Sequence, residues 1–342
     1  MQTKEQNITL AVVIPCWNEE VLLPKMLDCL LRQTYQDWIA ICVDDHSIDR
    51  TAEIVKSYQN KERRIHYLYR DREPKGGSVC RNIGLDKVNK AKYVCFFDAD
   101  DLVAPYCFEQ RVKYMEAHPD VEAASFPLLA FTDNINEEHG PVFGVKTFED
   151  DLEAMLNNNL PFCSGTDIYR VESLISRNVK WDENIKSKQD ADFNIQMLLS
   201  GMTHSFVYGK ADYFYRVGRA GVAKSIKSPQ SFDSHIYFID KVTQTVSTKY
   251  EDKYDFYLES MIASLLGLFR NSWKPYFKIL RLPWMKSRIA FKLRIWLFLL
   301  IFKKDRRLLF YKYRKYSKKQ NSIWTESMTM HRKELLKQGV EV

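Results

Sequence analysis

The sequence predicts an α/β protein whose core is a mostly parallel sheet flanked by helices. Two observations carry this. Through roughly the first hundred positions, short apolar and β-branched runs alternate with helical stretches, the pattern of successive βαβ crossovers. Three of those runs also end in polar, acidic clusters: CWNEE after the first, DDHSID after the second and DADD after the fourth. Ligands of open parallel sheets bind outside the carboxyl ends of the strands, which is where these clusters fall.

Each element has its own signal. ITLAVVIP (8 to 15) is a β-branched run closed by proline and reads as a buried strand. Leu22, Leu23, Met26, Leu27, Leu30 and Leu31 then recur at helical spacing. WIAICVDD (38 to 45), RIHYLY (64 to 69) and KYVCFF (92 to 97) supply three further strands. Helices are expected over 49 to 60 and from Arg81 to Val88, between those strands. Beyond 120 the pattern is mixed, with helices near 148 to 157 and 189 to 200 and strand-like HSFVYG and DYFYRV. From about 231 it turns helical and aromatic, so the chain divides into 1 to 230 and a helical, basic extension over 231 to 342.

Charge supports that division. The net charge of +7 hides an asymmetry: residues 270 to 342 carry 20 Lys and Arg against 4 Asp and Glu, so the first 269 positions carry −9. The seven cysteines show no CxxC or other metal spacing and lie mostly in apolar runs, as reduced thiols of a cytosolic protein do. MQTKEQN lacks the basic start and apolar core of a signal peptide, which argues against secretion and makes NIT at Asn7 a chance glycosylation match.

DADD is where chemistry concentrates. As a solvated turn it would only cap the following helix. In an extended backbone, however, Asp98 and Asp100 point the same way. Two hard oxygen ligands suit Mn²⁺ or Mg²⁺, which would fill their shells with water and a diphosphate. A phosphatase of the haloacid dehalogenase type also places DxD after a hydrophobic strand. That motif belongs on the first strand and continues into Thr or Val, whereas here it follows the fourth and reads DADDL.

Four motifs in order, VVIPCWNEE, VDDHSIDRT, KGGSVCRNIGL and FFDADD, closely resemble family 2 glycosyltransferases of the GT-A fold. The resemblance covers roughly residues 9 to 217. It implies that Pro15, Trp17 and Glu19 line a nucleotide pocket, with Trp17 against the base. It implies that Asp45 hydrogen-bonds the base and that Asp44 supports it or reaches the ribose. Lys75, Gly76, Gly77 and Arg81 would lie near the diphosphate and sugar, and Asp98 and Asp100 would hold the donor sugar and metal. For some of these a plainer role is available: core packing for Trp17, a bare loop for Gly76 and Gly77, and a helix cap for Asp49. His46 stands where the family has glycine.

Further along, VKWDENIKSKQDADFNIQML is similar to the family's stretch in which a Glu-Asp pair opens a helix and the Asp is the catalytic base. Gln189-Asp190 stands for that pair here, so Asp190 inherits the role. Asp192 competes, but two positions turn a helix by about 200°, so both cannot face one cleft. PFCSGTDIYR and YRVGRAGVAKS are expected to border the acceptor and diphosphate, with Arg216, Arg219 and Lys224 as candidates to close over the leaving group. His204 reads as structural.

Residues 273 to 319 interleave Lys and Arg with aromatic and aliphatic side chains. Their longest uncharged apolar run, Ile295 to Phe302, falls far short of the roughly 20 residues needed to span a bilayer. Basic amphipathic segments of this kind lie on anionic membranes. A partner helix or nucleic acid would be the other occupants, and nucleic acid is not expected.

The expectation is a metal-dependent, inverting glycosyltransferase on the cytoplasmic face of the membrane. It would move a sugar from a nucleotide diphosphate, UDP favoured, to a lipid-linked or surface glycan of capsule or O-antigen type. The alternative is a catalytically inactive GT-A-shaped scaffold at the membrane.

Overall fold

In this computed structural model the chain is described over residues 8–132, 134–136, 141–157, 159–217, 229–268, 325–340 and 342. The expected membrane-contact segment 273 to 319, and Arg219 and Lys224, lie outside the described residues. The described elements run β1 (Leu10–Cys16), α1 (Leu23–Leu31), β2 (Trp38–Asp44), α2 (Thr51–Lys61), β3 (Ile65–Tyr69), α3 (Gly77–Lys87), β4 (Tyr93–Phe96), β5 (Leu102–Val103) and α4 (Cys107–Ala117). Next come β6 (Ala123–Ser125), β7 (Leu128–Phe131), β8 (Val142–Phe143), α5 (Asp151–Leu156), a 3-10 turn (Ser164–Thr166), β9 (Asp167–Arg170) and α6 (Val171–Ser176). The chain continues through α7 (Gln189–Ser200), β10 (His204–Phe206), β11 (Tyr213–Arg216), α8 (Pro229–Tyr250) and α9 (Asp255–Leu268). A last helix, α10, covers 325–337.

Seven strands form the main sheet in the order β10-β6-β9-β4-β1-β2-β3. All neighbours are parallel except β9, which runs antiparallel to β4 and β6. β1 lies between β2 and β4, with Val13 opposite Ile41 on one side and Phe96 on the other. That central place explains why its run is apolar at every second residue in both phases. Leu10, Val12 and Ile14 face a core shared with α1, α2 and α4, while Ala11 and Val13 face α3 and α7. A smaller sheet, β5-β11-β7-β8, lies beside it and carries α10 through Met328 and Leu335.

Phe232, Ile236, Ile239, Val242 and Val246 of α8 belong to the same apolar cluster as Val13 and Phe96. Packing is therefore continuous across position 230. Among the described residues no helix is long and apolar enough to cross a membrane. A fully buried pair joins α4 to the segment entering β11: the Arg111 guanidinium donates to both carboxylate oxygens of Asp212, at 2.9 and 2.7 Å, and to the carbonyl of Gly165. Removing one partner of such a pair leaves an uncompensated charge, a loss of about 3–5 kcal/mol.

Gly84 sets how close α3 lies to the sheet. A methyl group there would stand 2.2 Å from Cγ1 of Val13. Gly84→Ala therefore sets a helix-propensity gain of about 1 kcal/mol against overpacking of about 1–3 kcal/mol. We expect net destabilisation, read as a lower urea midpoint at unchanged slope. A raised midpoint would mean that α3 lifts off β1 at little cost.

Candidate active site

The carboxyl ends of β1, β2, β3 and β4 open on one edge of the sheet, and two groups of side chains gather there. The first lies past β1, β2 and β3. After β1 the chain turns at Asn18, φ +54°, and after β2 at His46, φ +62°. Asparagine tolerates this left-handed region; histidine does so at a cost, which is why a glycine suits position 46. His46 is held by its ring nitrogens, Nε2 to the Arg70 carbonyl at 3.1 Å and Nδ1 to the Tyr69 hydroxyl at 2.5 Å. The two loops are laced together. The Asn18 N–H donates to Ser47 Oγ (3.0 Å), the Ile48 N–H to Asn18 Oδ1 (2.9 Å) and the Glu19 N–H to Thr51 Oγ1 (2.8 Å).

The two aspartates that end the second motif have different surroundings. Asp44 is buried, with Oδ1 accepting from the Ser47 N–H (3.0 Å) and Oδ2 from the Tyr67 hydroxyl (2.9 Å), so its carboxylate shapes the loop. Asp45 pairs with the buried Arg70, whose backbone N–H also bonds the Asp44 carbonyl. Arg70 was not foreseen; its place at the end of β3 was the available signal. Trp17 is 60% exposed, so its ring is not part of the core. Pro15 and Glu19 are partly buried beside it, and Lys75 is exposed. Gly76 has φ +138°, a conformation that L side chains rarely adopt.

The second group forms around Arg81, on the second turn of α3. Its Nη2 donates to Asp98 Oδ1 at 2.5 Å and its Nη1 to Gln189 Oε1 at 3.2 Å, and the guanidinium lies 4.6 Å from the Trp181 ring centroid. A side chain at Gly77 would run into this guanidinium, its Cβ 2.9 Å from Nη1. Arg81 is buried, which disfavours its charge, but Asp98 and Asp190 together raise its pKa above the usual arginine value. Asn82, next along α3, donates to the Trp181 carbonyl (2.8 Å) and accepts from the Trp181 N–H (3.1 Å), fixing the turn that leads to α7.

Asp190 sits in the first turn of α7. Its Oδ1 is shut off from solvent without a hydrogen-bond partner. Burial pushes its carboxyl above the usual range and Asp98 adds to this; Arg81 and hydrogen bonds from Ser164 pull the other way without cancelling it. Asp192 faces elsewhere. It is 1% exposed, and its Oδ2 accepts from Lys241 Nζ on α8 (2.9 Å) and from Gln196 (2.6 Å). The structure thus separates the two carboxylates as helix geometry requires.

The DADD turn hangs on β11. The Tyr213 hydroxyl accepts the Asp98 N–H (3.0 Å) and donates to Asp101 Oδ2 (2.8 Å), while the Arg216 N–H donates to Asp101 Oδ1 (2.7 Å) and Arg216 Nε to the Asp100 carbonyl (3.0 Å). Asp101, 1% exposed, is therefore the anchor of the turn. Burial, with Asp98 and Asp100 close by, pushes its carboxyl well above the usual range. Sequence reasoning passed over Asp101 and Tyr213, because their pairing spans 112 positions. His204 is structural: it stacks on Phe162 and bonds Ser125 Oγ at 2.7 Å.

Asp98 is 36% exposed and gives one oxygen to Arg81. Asp98 acts on both Asp101 and Asp190, Asp100 acts on Asp101, and the buried Arg81 is the cation beside Asp98 and Asp190. That surplus of negative charge and the all-oxygen donor set suit a hard divalent ion on Asp98 and Asp100. Among the described residues no set of three or more His, Cys, Asp or Glu is arranged to hold a metal by itself. A two-carboxylate site would leave coordination positions for another ligand.

Residues 11–176 match the model of glycosyl transferase family 2. The chain is 25% identical over 268 residues to the minor teichoic acid biosynthesis protein GgaB of Bacillus subtilis, covering 77% of this chain and 29% of that protein. It is 27% identical over 228 residues to the poly(ribitol-phosphate) beta-glucosyltransferase of Bacillus spizizenii, covering 65% of this chain and 35% of that one. The chain thus spans about a third of the length of these relatives. Its fold matches S. aureus TarS 1-349, solved in complex with UDP-GlcNAc, with a TM-score of 0.57 at 20% identity over 83% of this chain and 79% of that one. The match to glycosyl transferase family 2 thus spans residues 11–176, just under half of the chain, and the α/β architecture is that of the GT-A fold.

Proposed function

We propose that the protein transfers a sugar from a nucleotide diphosphate to an acceptor hydroxyl, with inversion at the anomeric carbon. One observation carries this reading: Asp190 presents a desolvated carboxylate oxygen, with no hydrogen-bond partner, beside the Arg81–Asp98 pair. Such a carboxylate is a general base whose proton affinity has been raised by its surroundings.

In this reading the nucleotide lies across the ends of β1, β2 and β3. Trp17 lies against the base, Pro15 and Glu19 border it, Asp45 bonds it and Asp44 holds the loop. Lys75 and the Gly76 backbone border the diphosphate, and Arg81 holds Asp98 in place and adds positive potential. A divalent ion, Mn²⁺ or Mg²⁺, on Asp98 and Asp100 would stabilise negative charge on the diphosphate. Asp190 takes the proton of the acceptor hydroxyl as its oxygen bonds to the anomeric carbon. The bond from that carbon to the diphosphate breaks on the opposite face, and the electron pair leaves with the diphosphate.

The relatives' names, teichoic acid and poly(ribitol-phosphate), favour an anionic surface glycan or its lipid-linked precursor as acceptor, and the TarS complex with UDP-GlcNAc favours a UDP-sugar donor. The basic segment 273 to 319 would bring the enzyme to the cytoplasmic face of the membrane that carries such an acceptor.

Asp100→Asn is the clean test of the metal site, since Asp98 is also tied to Arg81. It should abolish Mn²⁺-dependent donor binding in calorimetry while the unfolding midpoint holds. Full turnover with unchanged Mn²⁺ dependence would refute the assignment.

Asp190→Asn should lower kcat by about 10²- to 10⁴-fold with donor binding kept, and Asp192→Asn by less than about tenfold. The base works deprotonated, and its carboxyl is raised, so wild-type activity should fall with decreasing pH through a value above the ordinary aspartate pKa of about 3.9. The Asp190→Asn variant should lose that acid limb. Unaltered turnover in Asp190→Asn would refute Asp190 as the base, whereas a wild-type protein that binds donor with neither transfer nor hydrolysis would favour the non-catalytic scaffold.

Replacing the Lys and Arg of 286 to 307 by Gln should weaken sedimentation with anionic vesicles by about 1 kcal/mol per charge removed. Donor hydrolysis in solution should persist. Binding that does not change, or that prefers neutral vesicles, would exclude an electrostatic membrane contact. Deleting everything after 270 would be a poorer test, because α10 covers the smaller sheet.

A further inference from the structure

α8 begins after the four motifs, and its polar face grips the turn that delivers Asp190. Ser234 Oγ accepts the N–H groups of Lys186 (2.9 Å) and Ser187 (3.3 Å), and His235 Nδ1 bonds Ser187 Oγ at 3.0 Å. One helical turn on, the Tyr237 hydroxyl donates to Asp182 Oδ2 (3.2 Å). A further turn on, Lys241 Nζ lies between Asp182 Oδ2 (2.8 Å) and Asp192 Oδ2 (2.9 Å). Ser234, Tyr237 and Lys241 are spaced three and four apart, so they share a helix face. What they hold is strained: Lys188, the residue before α7, has φ +70°. A chain forced through that conformation needs outside support to keep it.

Lys241 has a second consequence. By fixing Asp192 it fixes the rotation of α7, and with it the direction of Asp190 two positions earlier. Asp192 Oδ1 has no hydrogen-bond partner, so Lys241 and Gln196, both on Oδ2, carry the anchoring of this buried carboxylate. We propose that α8 is the positioning element for the catalytic base, with Lys241 and Ser234 setting the turn 182 to 188 and the rotation of α7. The proposal rests on the reading of Asp190 as the base. Lys241 and Ser234 are positioning residues, acting through Asp190 without touching substrate.

The test is a double-mutant cycle in the full-length protein, with kcat and donor KM measured well below the unfolding temperature. Lys241→Met should lower kcat roughly 10- to 100-fold, the scale of a misplaced reacting group, with donor KM unchanged. Lys241→Arg, which keeps the cation between the two carboxylates, should restore most of it. In an Asp190→Asn background Lys241→Met should cost nothing further, because residues acting through one group are not additive. Equal losses in both backgrounds, or a raised donor KM with kcat intact, would overturn the proposal and leave the base assignment standing. Wild-type turnover by Asp190→Asn alone would overturn both. Should Lys241→Met fail to fold, Ser234→Ala enters the same cycle, with the same outcomes deciding.

Discussion

The contact between the buried Arg81 and the partly exposed Asp98 holds the candidate site together. Arg81 comes from α3, Asp98 from the end of β4 and Gln189 from the start of α7, three segments that span more than a hundred positions. A guanidinium taken out of water needs its donors met, and two of its nitrogens find oxygen on these two segments. The Trp181 ring beneath it adds a cation–π contact of about 0.5–2 kcal/mol. Bringing α3 close enough for this depends on Gly84, where any side chain would strike Val13. The packing of a helix on a sheet thereby sets the geometry of the charges at its end.

Negative charge at this edge is held by fixed partners rather than by solvent. Asp44 and Asp101, the deepest of the carboxylates, each accept two hydrogen bonds and serve the loops that carry their neighbours. Asp98, Asp100 and Asp190 are only partly buried, and Asp98 acts electrostatically on both Asp101 and Asp190. Burial and mutual repulsion raise the proton affinity of Asp190, and Arg81 limits that rise. Gln189 contributes by being neutral: it occupies one Arg81 nitrogen without adding a charge to a region already rich in them.

The helical part after position 230 is bound to this edge by packing and by polar contacts. Its apolar side joins the core behind β1 and β4, and its polar side meets the turn before α7. The chain can thus be divided by composition at a point where its packing is not divided. Composition tracks the change from sheet to helix, whereas packing follows whichever surfaces remain to be covered.

Local chemistry by itself determined much of this protein. Short apolar and β-branched runs, three of them closed by proline or carboxylates, locate β1 to β4, and each such run was legible because its signal lies within a few neighbouring residues. The clusters around Trp17, Asp45 and Asp98 were legible for the same reason, and so was the divergence of Asp190 and Asp192, which helix geometry alone requires. Tertiary structure decided the partners. That Arg81 pairs with Asp98, that Asp101 anchors to Tyr213, that Arg70 meets Asp45, and that Lys241 holds Asp192 could not be read in advance. Each is a contact between segments far apart in the chain, chosen by which charged group is left unmet when helices and sheet close over one another. No pattern in one segment records which distant group will satisfy it.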